Sequence, residues 1–206
     1  MTNTRHRVFI SYHHANDQSY KEQLLWLNDM YRIFEDASVD TDDIDDSLDD
    51  ETIRRKIRDE YLRDSSVTIV LIGIETMKRK HVDWEIYSSM FDGAVNRQSG
   101  VLVINLPSTG CTYYTAAHGN VEKATLYPEN TSWTSITSRE EYEKRYPYMP
   151  ARIIDNLLTK KAKVSVANWD RIAGNVESLR FLIDTTFNDR TTCEYDLSQP
   201  LRRANS

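Results

Sequence analysis

Glu85 follows Trp84 directly in the stretch RKHVDWEIYSSM, residues 79–90, and its setting invites chemistry. At about 100° per residue, Val82, Ile86 and Met90 form one apolar stripe of a helix, with Glu85 on its edge and Trp84 nearly opposite its centre. A carboxylate on that boundary is either a solvated flank residue with basic neighbours or a group that looks into a cleft beside the helix. In the second case it can stabilise positive charge that develops on a bound molecule.

Other chemistry is weaker by spacing. In the acidic stretch VDTDDIDDSLDDE, residues 39–51, Asp40, Asp42 and Glu51 fit the first, third and twelfth places of a calcium loop. Ile44 breaks the fifth place, and Asp45 stands where the sharp turn needs glycine, so a solvated acidic loop is the simpler reading. It is expected to gate access or serve partner contacts. Cys111 and Cys193 match no metal-ligand spacing, and no metal is expected.

The composition narrows the class. The chain has 206 residues, 39% hydrophobic and 28% charged, which suits an ordinary globular domain with a sizeable core. A net charge of −6 argues against a nucleic-acid binder, because that affinity rests on lysine and arginine at phosphates. No apolar run approaches the roughly 20 residues that span a bilayer. A cytoplasmic protein with reduced thiols, away from membranes, is expected.

The elements that must position Glu85 alternate between strand and helix. Arg7–Tyr12 (RVFISY) reads as a buried strand, followed by a helix for which Asn16 and Asp17 offer N-caps. A second strand is expected around Ala37–Val39 and a helix over Thr52–Asp64. Ser66–Gly73 and Gly100–Leu106 are apolar almost throughout, as central parallel strands are, and the helix of Glu85 lies between them. Residues 108–149 lack sustained periodicity and read as an insertion or lid before the last strand, with Tyr113, Tyr114 and His118 in it. A helix over Pro150–Lys160, an edge strand at Lys163–Ala167 and a closing helix through Ile183 complete a single domain, residues 1–188. Residues 189–206 read as a polar, loose tail.

This alternation predicts an α/β fold, a flavodoxin-like doubly wound parallel sheet of about five strands. Ligands of such sheets gather at the carboxyl ends of the strands, near the switch in strand order. Glu85, early in the helix after the third strand, lies close to that rim. A dinucleotide-binding turn would need glycines after the first strand, where the chain has SYHHAND instead. A phospho-receiver would need acidic residues there and an aspartate ending the third strand, where the chain has Gly73-Ile74-Glu75.

What remains resembles the TIR domain family. Phe9-Ile10-Ser11-Tyr12 is similar to its first-strand signature, residues 39–51 to its variable loop, and Glu85 to its catalytic glutamate. His13-His14 and Trp84-Glu85-Ile86 resemble the branch that includes the TIR proteins of the bacterial Thoeris anti-phage system. The resemblance covers roughly residues 5–106. Where NAD-cleaving relatives commonly carry a tryptophan four residues before the glutamate, this chain has His81.

The resemblance implies an NAD+ nucleosidase of ADP-ribosyl cyclase type, with NAD+ as substrate and no cofactor. It implies Glu85 as the catalytic residue, with Ser11, Tyr12, His13, His14, Asp17, His81 and Trp84 around the substrate. The product would be a cyclic ADP-ribose-type signal for a separate effector protein, in response to a phage trigger. Many TIR enzymes complete their sites across subunits, so a homo-oligomer is compatible. Two other readings stand beside it: a non-catalytic TIR interaction module, and a nucleoside deoxyribosyltransferase-like enzyme.

Overall fold

A computed structural model describes residues 5–38, 48–94 and 96–205. Five strands, β1 (Arg7–Ser11), β2 (Glu35–Asp36), β3 (Val67–Ile72), β4 (Gly100–Asn105) and β5 (Ser165–Asn168), form one sheet in the order β2-β1-β3-β4-β5. Every neighbouring pair is parallel, which makes this the expected flavodoxin-like α/β fold. After β2 the chain crosses back over β1 to build β3 on its other side, so the order reverses between β1 and β3. In open parallel sheets the crevice at that reversal is the usual ligand site.

Alternate strand residues point to opposite faces, and both faces are covered. Ile69, Leu71, Leu102 and Ile104 pack against α1 (His14–Tyr31) and against a helix near the end of the chain through Leu24, Leu179, Leu182 and Ile183. Val70, Ile72, Val101 and Val103 pack on the other side, against the helix that carries Glu85. This explains why β3 and β4 read as continuous apolar runs.

The remaining helices follow in chain order. α2 (Asp50–Lys56) is capped by Asp49, whose side chain accepts from Thr52 N, and it runs on into a π-helical turn, Ile57–Tyr61. α3 (Lys80–Met90) carries Glu85. The short α4 (Asn120–Leu126) and α5 (Arg139–Arg145) lie inside residues 108–149, and α6 (Ala151–Thr159) comes next. α7 (Trp169–Ala173) and α8 (Val176–Asp189) close the sheet.

Three local expectations shift. α1 begins at His14, and Asp17 is no cap: its backbone N–H donates to the His13 carbonyl inside the first turn. β2 comes earlier than Ala37–Val39. Asn28 Oδ1 accepts from Ile33 N and Phe34 N, which turns the chain sharply and pairs Glu35 with Arg7 at once. The tail after α8 is docked rather than loose, as its contacts below describe. The calcium-loop reading of Asp40, Asp42, Ile44 and Asp45 lies outside the described residues, with most of the acidic loop. Among the described residues no helix is long and apolar enough to cross a membrane.

Candidate functional site

β1 ends at Ser11, and the next residues swing straight into α1, so Tyr12, His13 and His14 stand on the carboxyl rim of the sheet. β3 ends beside it, and one 3-10 turn, Thr76–Lys78, leads into α3. The two connections face each other across the switch in strand order. Between them lies a cleft of about 300 Å³, lined by Tyr12, His13, His14 and Ala15 on one side and Arg79, His81, Val82 and Glu85 on the other.

Glu85 is only 3% exposed, which excludes the solvated-flank reading. Its Oε2 accepts a hydrogen bond from the Ser11 hydroxyl at 2.6 Å. Charge-assisted bonds of that length are strong, and this one holds the carboxylate at the inner end of the cleft. The Tyr12 and His14 rings stack with centroids 4.4 Å apart, and the Tyr12 hydroxyl donates to Gln18 Oε1 at 2.5 Å. His13 is buried and His14 half-buried, so both imidazoles are presented by a fixed turn.

Three expected substrate residues, Ser11, Trp84 and Asp17, do not line the cleft, and Ser11 acts on it only through its bond to Glu85. Trp84 is fully buried, packed with Phe9, Ile53, Ile57 and Leu201, and its indole N–H donates to the Arg202 carbonyl at 2.7 Å. The face that looked outward in the sequence is covered by α2 and by the end of the chain. Trp84 reaches the site only through His81, whose ring centroid lies 4.9 Å away. Asp17 is also buried, and its carboxylate accepts from the Thr76 hydroxyl at 3.3 Å. It packs so tightly on Gly73 that a Cβ there would collide with it. Burial raises its pKa, partly offset by the Thr76 hydrogen bond. Asp17 therefore ties α1 to the β3–α3 connection and frames the cleft from behind.

Two polar residues beyond those expected do line it. Arg79 is the N-cap of α3, and its Nε is buried with no hydrogen-bond partner among the described residues. Its Nη2 lies 3.6 Å from Glu75 Oε2. The basic run Lys78-Arg79-Lys80-His81 just past a strand end was the signal for it. Asn205 is the other, and its Oδ1 accepts from Lys80 N at 2.9 Å, so it caps α3 from the far end of the sequence. No local pattern could announce that.

The segment before Asn205 is held by one buried cation. The Arg152 guanidinium, from α6, meets both oxygens of Asp83 at 2.9 and 3.1 Å and donates to the Gln199 and Pro200 carbonyls. Asp83 also accepts from Arg202 N at 2.9 Å. α3, α6 and the tail thus share one polar knot two residues before Glu85.

Residues 108–149 lie elsewhere. Thr115 pairs antiparallel with Val166 of β5, and the Tyr114 and Tyr127 rings stack 3.9 Å apart. Tyr113 packs edge-on against Tyr146, and His118 Nδ1 sits 2.8 Å from Asp189 Oδ2. Among the described residues none from 108–149 lines the cleft.

A five-stranded parallel sheet with a buried glutamate on the helix after its third strand, facing a Ser-Tyr-His-His turn, is consistent with a TIR-like α/β fold. Residues 9–110, just under half of the chain, match the family model described as Thoeris protein ThsB, TIR-like domain. The match spans every cleft residue except Asn205. No curated protein matches the chain. The likeness of this stretch to a Thoeris TIR-like domain supports a role in anti-phage defence.

Proposed function

We propose that this chain cleaves the nicotinamide–ribose bond of NAD+ and closes the ADP-ribose unit into a cyclic signal that activates a separate effector. The observation that carries the reading is the buried Glu85 carboxylate, fixed by Ser11 at the inner end of a cleft rimmed by imidazoles and Arg79. Nicotinamide leaves as a neutral molecule from a cationic ring, so no general acid is needed. The transition state is oxocarbenium-like, as in glycoside hydrolysis. A carboxylate already oriented and shielded from water stabilises that charge without reorganisation.

The substrate's pyrophosphate needs donors, and Arg79 supplies a guanidinium at the start of α3, with His13 and His14 opposite. Closure to a cyclic product, rather than hydrolysis, requires a folded-back pose with water excluded. A phage component supplies the trigger, and NAD+ is the substrate, with no further cofactor.

An assembly reading has one observation of its own. Trp26 and Met30, one turn apart on α1, are each 60% exposed, an apolar surface suited to a second copy of the chain. Assembly and catalysis are compatible, because TIR-like sites are open to completion by a neighbour.

The deciding experiment incubates NAD+ with the purified chain, and examines lysates of phage-infected cells that express it, each beside Glu85→Gln. Chromatography with mass detection is expected to show a product with the mass of cyclic ADP-ribose that vanishes in Glu85→Gln. No nicotinamide release from wild type in either setting would remove the enzyme reading and leave the interaction module. Base exchange on deoxynucleosides instead would favour the deoxyribosyltransferase-like reading.

A further inference from the structure

The far edge of the sheet holds a second cavity of about 330 Å³, between the 133–136 loop, α4, α5 and the end of α6. That volume is within the usual range of small-molecule sites, roughly 300–1,000 Å³. Trp133 and Tyr114 give it an aromatic wall, their centroids 5.9 Å apart and edge-on. Lys123, Arg145, Lys160 and Lys163 also line it, and no aspartate or glutamate does, in a chain whose net charge is −6.

The cations are held in place. Lys160 Nζ donates to Ser135 Oγ at 2.6 Å, and Lys163 Nζ lies 3.0 Å from Asp189 Oδ1. Arg145 pairs with Glu141 at 2.7 Å, and Lys123 Nζ sits 4.9 Å from the Trp133 ring centroid. The carboxylate partners stand outside the lining, so they orient the charges without filling the cavity.

The backbone explains how two of the cations come together. Lys160 and Lys163 have φ of 56° and 48°, left-handed conformations that favour glycine. Of the four non-glycine residues in that region among the described residues, two line this cavity. Lys160 takes that conformation as the C-cap of α6, and Lys163 follows three residues on, so one tight turn brings both lysines to the cavity.

We infer that this cavity binds a nucleotide, its base against Trp133 and Tyr114 and its phosphate between Lys160 and Lys163. Aromatic faces take bases of any sequence, and the lysines take the anion. The cavity shares no lining residue with the Glu85 cleft, so the inference stands independently of NAD+ cleavage.

The test uses the full chain with Glu85→Gln and Arg79→Ala together, so that turnover and phosphate binding at the cleft are both removed. Titration calorimetry with AMP is expected to show saturable binding, with adenosine and inorganic phosphate each about tenfold weaker or more. Adding Lys160→Asn and Lys163→Asn removes the charges while asparagine still accepts the left-handed backbone. AMP affinity should then fall about tenfold or more at an unchanged melting temperature, and Trp133→Leu should lower it as well. Absence of AMP binding in the parent, or AMP affinity unchanged by the paired lysine substitutions, would overturn the inference while leaving the NAD+ reading untouched.

Discussion

The Ser11 hydroxyl donates to Glu85 Oε2 across 2.6 Å, between residues 74 positions apart in sequence. Ser11 ends the first strand and Glu85 lies midway along the third helix, and both are almost fully buried. The bond exists because the sheet reverses its strand order between β1 and β3, which turns both connections toward one crevice. Glu85 is thereby oriented by the scaffold before any substrate arrives.

Under the proposed chemistry, Glu85→Gln removes the charge but keeps the shape and one acceptor for Ser11, so NAD+ turnover should vanish while folding persists. Ser11→Ala deletes the orienting donor only. A charge-assisted hydrogen bond is worth about 1.5–3 kcal/mol, so kcat should drop roughly tenfold to a hundredfold. Single-turnover nicotinamide release by both variants checks this, and an unaltered kcat in Ser11→Ala would show that the bond does not orient the carboxylate.

In the proposed reaction Arg79 binds the pyrophosphate and takes no part in bond breaking. Arg79→Ala should raise KM for NAD+ about tenfold or more with kcat changed far less, because a contact to phosphate is made equally in ground and transition states. Arg79→Lys should restore part of the loss, since an ammonium supplies charge without the planar fork. A fall in kcat at constant KM would place Arg79 at the reacting centre instead.

Much of the rim was legible because its signals are local. A short β-branched run ending in Ser11, a turn with two histidines and an apolar period around Glu85 each declare themselves within a dozen residues, and parallel topology then brings them together. The tail was not legible, because what docks it is backbone. Gln199, Pro200 and Arg202 contribute carbonyls or an amide, and a polar composition says nothing of those. Tyr195, Leu197 and Leu201, which also anchor it, are too scattered to form a period. The helices inside 108–149 are seven residues each, below the length at which a 3.6 repeat can be read. Asp17 misled for a different reason: aspartate is a favoured cap, but its side chain was drawn under Gly73.

Arg152 should prove the keystone of the tail. Its side chain is 1% exposed and meets Asp83 and two tail carbonyls. Removing one partner of a buried pair costs about 3–5 kcal/mol, so Arg152→Ala should lower the melting temperature by roughly 6–20 °C. The tail should also become sensitive to protease while native conditions hold. The double variant Arg152→Met, Asp83→Leu should lose less than the two single losses added together, since it buries no lone charge. A melting temperature within a degree of wild type for Arg152→Ala, with the tail still protected, would refute the keystone role.

Glu122 should make stability fall as the pH rises. It is buried on α4, where its Oε2 accepts from His118 N at 2.7 Å. Burial holds its pKa above the ordinary carboxylate value, against the hydrogen bonds from Ser165 and His118. The folded chain therefore keeps this proton at pH values where the unfolded chain, titrating near about 4.3, has lost it. Stability from this group is complete below that value, declines as pH rises toward the folded pKa, and is lowest above it. Glu122→Gln carries no such proton and still offers an acceptor to His118 N. The variant should thus be more stable than wild type at neutral pH, with the advantage shrinking to nothing on acidification below about pH 4. Denaturant midpoints measured for both proteins from pH 4 to 8 decide it. A difference that stays constant across that range, or a variant weaker at pH 7, would mean that Glu122 is ionised in the folded chain and held by its hydrogen bonds.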